Sequence, residues 1–253
     1  MGGPKAVGRT RVRFLVVLLG LLAAQAVAAM GFSEDPQEKL TKTVSLGPLK
    51  SLEIRGQVEF ELVPGPEGWV TIETSRALFD QFTVSNWWGY ATIAIESGLR
   101  GPRERGNVKI KITLPSLESL DVTDQSSGTI TWPGTQGKIR VAENSSAILN
   151  LQGDDFEVDT SWKTQVSIRG HVTRLKVDLR HQSVINSQGL TAEDVEVNLD
   201  ENSSFESGQV TRGTGLARHQ SRVVVDDPEV WKDLRLREDS EKRSRAVPET
   251  PVQ

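Results

Sequence analysis

At 253 residues the chain has room for one large domain or two small ones, but with 36% hydrophobic and 6% aromatic residues it holds too little apolar mass for a thick globular core. Charge is ordinary in amount, 25% of residues with both signs present and a net of −4, which argues against disorder throughout. There is no cysteine, so disulfides, thiolate metal sites, thiol catalysis, iron–sulfur clusters and lipid attachment through cysteine are all excluded.

Residues 1–28 follow the plan of a secretory signal peptide. Lys5, Arg9, Arg11 and Arg13 supply a basic start, Phe14 to Leu22 an apolar run, and Ala26-Val27-Ala28 the small-x-small pattern that places the cut between Ala28 and Ala29. Retention as an anchor is the alternative, but the apolar stretch to Met30 includes Gln25 and falls short of the roughly 20 residues a bilayer needs. Cleavage removes four of the 30 basic residues and none of the 34 acidic ones, so 26 stand against 34, a net of −8. That sign argues against nucleic acid and anionic membrane surfaces as partners. No second long apolar segment follows, so the mature chain is expected outside the cytoplasm, in the periplasm or at the cell surface, with no transmembrane segment. Residues 29–45 read as a flexible polar tether.

Short strands fill the stretch from 46 to 230. LEIRGQVEFELVPG from Leu52 is followed by Val70 to Ile72, Phe82 to Val84, Ala91 to Ile95 and the alternating Val108 to Leu114, with the charged, Gly- and Pro-punctuated loop LRGPRERGN from Leu99 between the last two. From Leu120 the chain repeats itself. Five segments align without a gap over fifteen positions: LDVTDQSSGTITWPG from Leu120, IRVAENSSAILNLQG from Ile139, FEVDTSWKTQVSIRG from Phe156, LKVDLRHQSVINSQG from Leu175 and VEVNLDENSSFESGQ from Val195. Successive starts are thus evenly placed except for one short step, from Ile139 to Phe156. A degenerate sixth copy begins at Leu216, and the Leu52 segment is a seventh.

Each complete copy opens apolar-x-Val, crosses a polar corner, enters a second alternating stretch and closes on glycine, at Gly134, Gly153, Gly170, Gly189 and Gly208. Alternation with a period of two is the mark of a strand, and glycine suits a turn that needs positive φ. Short strands in units of about 19 residues describe the coils of a parallel β-helix. Leu120, Val122, Ile139, Val141, Phe156, Val158, Leu175, Val177, Val195 and Val197 then point inward and stack in columns. A β-sandwich is the alternative, although sandwich strands have no reason to repeat their corners. Residues 231–253 read as a disordered, charged tail.

LKSLEIRGQVEFELVPG from Leu49, ITLPSLESLDV from Ile112 and the recurring polar-Ser-Ser corners resemble the putative auto-transporter adhesin, head GIN domain family of bacterial envelope proteins, over Leu46 to Val230. The resemblance implies an all-β, single-stranded right-handed parallel β-helix on an exported, adhesin-like protein. The family's corners are typically Gly-Ser-Gly. Here they read Gln125-Ser126-Ser127-Gly128, Asn144-Ser145-Ser146-Ala147, Lys163-Thr164-Gln165-Val166, Gln182-Ser183-Val184 and Asn202-Ser203-Ser204-Phe205, so the spacing survives without the glycines.

Candidate chemistry is sparse. His181 and His219 each sit in Arg-His-Gln-Ser, which invites a triad or metal reading, but in the repeat frame the two motifs are offset by three positions and need not stack; His171 stands alone. Asp121, Asp124, Asp154, Asp155, Asp159, Asp178, Asp200, Glu201, Asp226 and Asp227 read as a solvated acidic face, since the glycine-rich nonapeptide that delivers calcium ligands is absent. No metal and no cofactor are expected. Paired carboxylates on a β-helix face support the alternative function, a polysaccharide-active enzyme. Trp87-Trp88-Gly89-Tyr90 is the candidate ligand site: Trp87, Trp88 and Tyr90 either form a flat platform for sugar rings or a partner protein, or are buried in alternation at one edge. The Ser pairs of Asn144-Ser145-Ser146 and Asn202-Ser203-Ser204 read as a hydrogen-bonding ladder between stacked corners. The expected function is a non-enzymatic binding or adhesin-like scaffold module whose partner is an extended glycan or another envelope protein.

Overall fold

Alternating apolar and polar residues build strands along almost the whole of the computed structural model, which describes residues 38–95 and 108–245. The expected signal peptide with its cut at Ala28 and Ala29, and the charged loop from Leu99, lie outside the described residues. The elements are β1 (Lys39–Ser45), β2 (Ser51–Arg55), β3 (Glu59–Pro64), β4 (Trp69–Ser75), a single helical turn α1 (Arg76–Phe79), β5 (Phe82–Trp87), β6 (Tyr90–Ile95) and β7 (Lys109–Leu114). They continue as β8 (Ser119–Thr123), β9 (Ser127–Thr131), β10 (Gln136–Ala142), β11 (Ser146–Ser161), β12 (Gln165–Leu179), β13 (Val184–Leu199), β14 (Ser204–Glu206), β15 (Gln209–Ala217), β16 (Arg222–Val225), β17 (Asp233–Leu236) and β18 (Glu241–Ser244).

The strands pair as two parallel stacks, so the fold is a parallel β-solenoid. In the front stack β2 pairs with β8, β8 with β10, and the series runs on through the C-terminal halves of β11, β12 and β13 to β15 and β17. In the back stack β3 pairs with β9, followed by the N-terminal halves of β11, β12 and β13 and then β14, β16 and β18. The long strands β11, β12 and β13 cross from the back stack of one coil to the front stack of the next. At the N-terminal end the order departs from that of the chain. The coil β2–β3 lies between β8–β9 on one side and β6–β7 on the other. Antiparallel strands then close that end: β4 on β7, β1 on β4 and β5 on β6. β1 therefore corrects the expected tether, whose last seven residues, Lys39 to Ser45, alternate in exposure as an edge strand does.

The pairing register corrects the repeat frame. Leu120 faces Ile139, Ile139 faces Val158, Val158 faces Val177 and Val177 faces Val197, so the true spacing is nearly constant. Phe156, Leu175 and Val195 align instead with Gly137. The short step from Ile139 to Phe156 is thus a slip of two in the alignment. A slip of two leaves every side chain on the face it had, so the ten residues expected inside are all inside, each at most 3% exposed. The sixth copy starts at Gly213, which faces Val195, and not at Leu216.

Gly213 and Gly137 explain why those copies are hard to see in sequence. A Cβ on Gly213 would lie 2.2 Å from the ring of Trp231, and one on Gly137 would lie 2.1 Å from the ring of Trp132. Glycine in one coil makes room for a buried indole from the coil beside it, so the column keeps its volume while the apolar letter is missing from the sequence. Trp231, 1% exposed, belongs to this core together with Phe205, whose ring centroid is 5.9 Å away. Chain assigned to a disordered tail is therefore structured as far as Arg245: β17 and β18 pair in parallel with β15 and β16.

Between the stacks, each coil turns at two successive residues of positive φ: Gly56–Gln57, Asp124–Gln125, Glu143–Asn144, Trp162–Lys163, His181–Gln182, Glu201–Asn202, His219–Gln220 and Glu238–Asp239. Such residues are mostly polar, as the left-handed region prefers. The second residue's N–H donates to the first residue's carbonyl in the next coil at 2.8 to 3.0 Å, from Gln57 to Asp124 O through to Gln220 to Glu238 O. The next residue turns inward: Ser126, Ser145, Thr164, Ser183, Ser203 and Ser221 are at most 2% exposed. Thr164, Ser183 and Ser203 donate their hydroxyls to carbonyls of Ser161, Arg180 and Asp200 in the same coil. The expected ladder of Ser hydroxyls between coils is thus replaced by a clasp within the corner at these three residues, while the Ser126, Ser145 and Ser221 hydroxyls find no hydrogen-bond partner, and the ladder between coils is made of backbone.

Candidate functional site

β5 and β6 form a hairpin whose two-residue turn, Trp88 (φ 54°) and Gly89 (φ 81°), lies wholly in the left-handed region, the geometry that tight hairpins favour. The Gly89 carbonyl accepts from the backbone N–H groups of Lys50 and Ser51 at 2.8 and 3.1 Å, and Asn86 Nδ2 donates to the Leu46 carbonyl. One face of the hairpin buries Phe82, Ala91, Ile93 and Ile95. On the other, Trp87 stands directly opposite Tyr90. Trp87, Trp88 and Tyr90 are 74%, 85% and 62% exposed. Burial in alternation is thereby excluded, and the structure brings the three aromatic residues together at the tip of a pinned hairpin.

Tyr90 also heads a column of outward residues. Coil by coil it continues through Ser51, Ser119, Lys138, Glu157, Lys176, Glu196, Thr214 and Asp233. A second column runs Asp155, Arg174, Asp194, Arg212 beside it. Along both lies a groove of about 1130 Å³, bordered by Leu49 and Leu117 at the hairpin end.

Much of the expected acidic face is neutralised by basic residues. Asp121 is paired with Arg140 at 3.0 Å, Asp155 with Arg174, Asp194 with Arg212 at 2.6 Å, Asp226 with Arg245 at 2.6 Å, and Asp200 with Arg218 at 3.3 Å. In the two columns of the groove sign alternates from Lys138 to Glu196 and from Asp155 to Arg212, which avoids like charges stacked at about 4.8 Å, whereas Asp159 and Asp178 stack as a like pair. Glu157, Asp159 and Asp178 have carboxylate oxygens within 4.8 Å of one another, but Lys138 lies 3.4 and 3.3 Å from the first two and Lys176 lies 3.2 and 3.5 Å from Glu157 and Asp178. Burial pushes the Glu157 carboxyl up, and the two lysines outweigh it and hold it below its ordinary value. A general acid needs the opposite shift. Chemically, this cluster is an ion-pair network.

The register brings the two Arg-His-Gln-Ser motifs together. His181 and His219 both occupy the first corner position, two coils apart, with Glu201 between them. The three-position offset comes from starting the sixth copy at Leu216. His181 Nδ1 contacts Glu201; His219 Nδ1 contacts Asp200, and its Nε2 lies 2.8 Å from Glu238 Oε2. The hydrogen bond to Asp200 raises the His219 pKa. His171 lies away from both, on the Gln152–Thr191 register line. One further residue escapes the sequence reading. Trp162 occupies the same corner position, 56% exposed, with its ring stacked on His181 at 4.2 Å. Its signal is available in the corner alignment, where it stands in the slot that elsewhere holds Asp124, Glu143 or Glu201.

The model of the putative auto-transporter adhesin, head GIN domain family matches residues 48–214, more than half of the chain. The chain belongs to this family. The coils of this GIN-family protein continue past the matched residues to Arg245. A putative adhesin of Bacteroides fragilis shares the fold at a TM-score of 0.71 and 11% identity, covering 83% of this chain and 98% of that one. A putative adhesin of Parabacteroides merdae aligns at 0.55 and 9% identity, covering 83% and 97%, and a putative lipid binding protein of Parabacteroides distasonis at 0.54 and 12%, also covering 83% and 97%. At such identities the likeness speaks for the fold alone. No curated protein matches the chain.

Proposed function

We propose that this GIN-family chain is an exported envelope protein that acts as a non-enzymatic binding module, holding an extended glycan at Trp87, Trp88 and Tyr90 and along the groove behind them. The observation that carries this reading is the exposure of three aromatic rings on a hairpin whose backbone is pinned from below. Large aromatic rings facing water on a preorganised turn suit the apolar faces of sugar rings, and little ordering is left to pay for on binding. Behind the tip, paired charges offer alternating donors and acceptors over several coils, a length that matches a linear polymer. The basic, apolar and small-residue pattern of residues 1–28 supports export, and the names of the adhesin-like structural relatives agree with a binding role. Among the described residues no helix is long and apolar enough to cross a membrane.

The test uses Trp87→Ala with Trp88→Asn, since Asn-Gly keeps the hairpin turn. Binding to a glycan array and to purified cell-wall polysaccharide is expected to weaken at least tenfold, with the melting temperature nearly unchanged. Unchanged glycan binding sinks the proposal, as does retention on phosphatidylcholine vesicles or on envelope proteins in place of glycan. Release of reducing ends from the polysaccharide by the wild-type protein favours the carboxylate enzyme instead.

A further inference from the structure

Of the eight left-handed corners among the described residues, six begin with Asp, Glu or His and one with Gly56; the eighth begins with Trp162 at φ 63°. A bulky side chain is rare in this region, and strain of this kind persists where the surroundings hold it and function uses it. Here the ladder holds it: Asn144 N–H donates to the Trp162 carbonyl at 2.8 Å, and Lys163 N–H donates to the His181 carbonyl at 2.9 Å. The indole and the His181 imidazole lie 4.2 Å apart and 24° from parallel, forming a two-ring slab fixed at both backbones.

A hollow of about 500 Å³ opens beside the slab. Into it face Asn144, Gln182 and Asn202, exposed at the second corner position of their coils, with Lys163 in the same column and Glu201 beside His181. Gln182 and Asn202 stand one coil apart, at about 4.8 Å, and Asn144 stands two coils before Gln182, beyond Lys163; each carboxamide presents a donor and an acceptor, a pattern that hydroxyl or acetamido groups of a sugar chain satisfy. Past the corner, the outward residues Ser146, Gln165 and Val184 and, beside them, Ile148, Ser167 and Asn186 carry no charge, whereas the groove on the front stack alternates in sign from Lys138 to Glu196 and from Asp155 to Arg212.

We propose that the Trp162 corner is a second saccharide site, in which the Trp162–His181 slab stacks on a pyranose ring of a neutral glycan and the flanking carboxamides bind its polar edges. It shares no residue with the hairpin tip and stands or falls separately from it.

Titration of the 15N-labelled full chain with neutral hexasaccharides of glucose, N-acetylglucosamine, mannose and galactose tests this, read on the indole N–H signals. Trp162→Asn assigns the Trp162 signal and places at the corner a residue that the left-handed region accepts. At least one hexasaccharide is expected to shift the Trp162 indole saturably. Trp162→Asn and, independently, Gln182→Ala with Asn202→Ala are expected to weaken its Kd about tenfold, roughly 1.4 kcal/mol. The hairpin variant Trp87→Ala with Trp88→Asn is expected to leave the Trp162 shift in place. The proposal is overturned if none of the four sugars moves the Trp162 signal, if Trp162→Asn binds as wild type does, or if the Trp162 shift disappears only in the hairpin variant. In that last case the sugar belongs to the tip.

Discussion

Gly213 and Trp231 act as one unit although they belong to different coils. With a methyl placed 2.2 Å from its ring, Trp231 cannot keep its seat, so Gly213→Ala is expected to cost about 1 to 3 kcal/mol by overpacking, a fall of several degrees in melting temperature. Adding Trp231→Ala is expected to cost less than the sum of the two single changes, because the clash is then gone. Additivity in a double-mutant cycle would refute the pairing. A second residue-scale effect belongs to His219. The hydrogen bond to Asp200 raises its pKa above the ordinary 6.5, with Glu238 at the other nitrogen and Arg218 acting in the opposite sense. A value raised on folding stabilises the folded form fully below about pH 6.5 and ceases to do so as pH rises through the folded value. Asp200 runs the other way. Although burial pushes its carboxyl up, His219 and Arg218 hold it below 3.8, so its contribution fades only as pH falls through that lowered value. Hydrogen exchange in β16 and β18, corrected for intrinsic rates, is therefore expected to be better protected at pH 6 than at pH 8.5, a difference that His219→Asn abolishes. Equal pH dependence in the two proteins would remove His219 from this role.

At the scale of the element, corners are more legible than strands. Gln125-Ser126, Asn144-Ser145, Lys163-Thr164, Gln182-Ser183 and Asn202-Ser203 align in sequence as they stack in space, because only small polar residues fit the inward slot and no shift of two positions reproduces them. The strand letters lack that property: apolar-x-Val looks the same after a slip of two, and so the alignment sets Phe156 against Ile139 when its neighbour is Gly137. Charge on the strands misleads for a related reason. Asp155 and Arg174 stand a full coil apart in sequence and are adjacent in the front stack, so a series of carboxylates looks like an acidic face until the coils are stacked. The hairpin tip is legible because Trp87-Trp88-Gly89-Tyr90 is contiguous, whereas the Trp162 corner is assembled from four coils and no local window contains it.

For the whole molecule, the largest departure from the sequence reading is at the C-terminal end. β17 offers one half-buried apolar residue, Leu234, and β18 none, while Lys232, Asp233, Arg235, Arg237 and Arg243 surround them, so composition resembles a tail. Charges along the last strands also make that edge a poor template for pairing with another chain. Ending the protein after Val230 is expected to open the notch over Gly213, uncover Phe205 and the β15–β16 coil, and lower the melting temperature with visible light scattering. A truncated protein as stable and as monodisperse as the full chain would show that the last coil is dispensable.

The placement of β2–β3 between β6–β7 and β8–β9 bears on how the chain finds its fold. From β10 onward each new coil closes a loop of about one repeat onto the coil just made, a low and constant entropic cost. Leu52, however, must meet Ala91 on one side and the still more distant Leu120 on the other, each several strands further along the chain, before it is covered on both sides. Long-range contacts of this kind slow folding. The N-terminal end is thus expected to be the slow seed, and the later coils to zip onto it in order of synthesis, so a chain emerging N-terminus first could begin growth only after Thr131 has appeared.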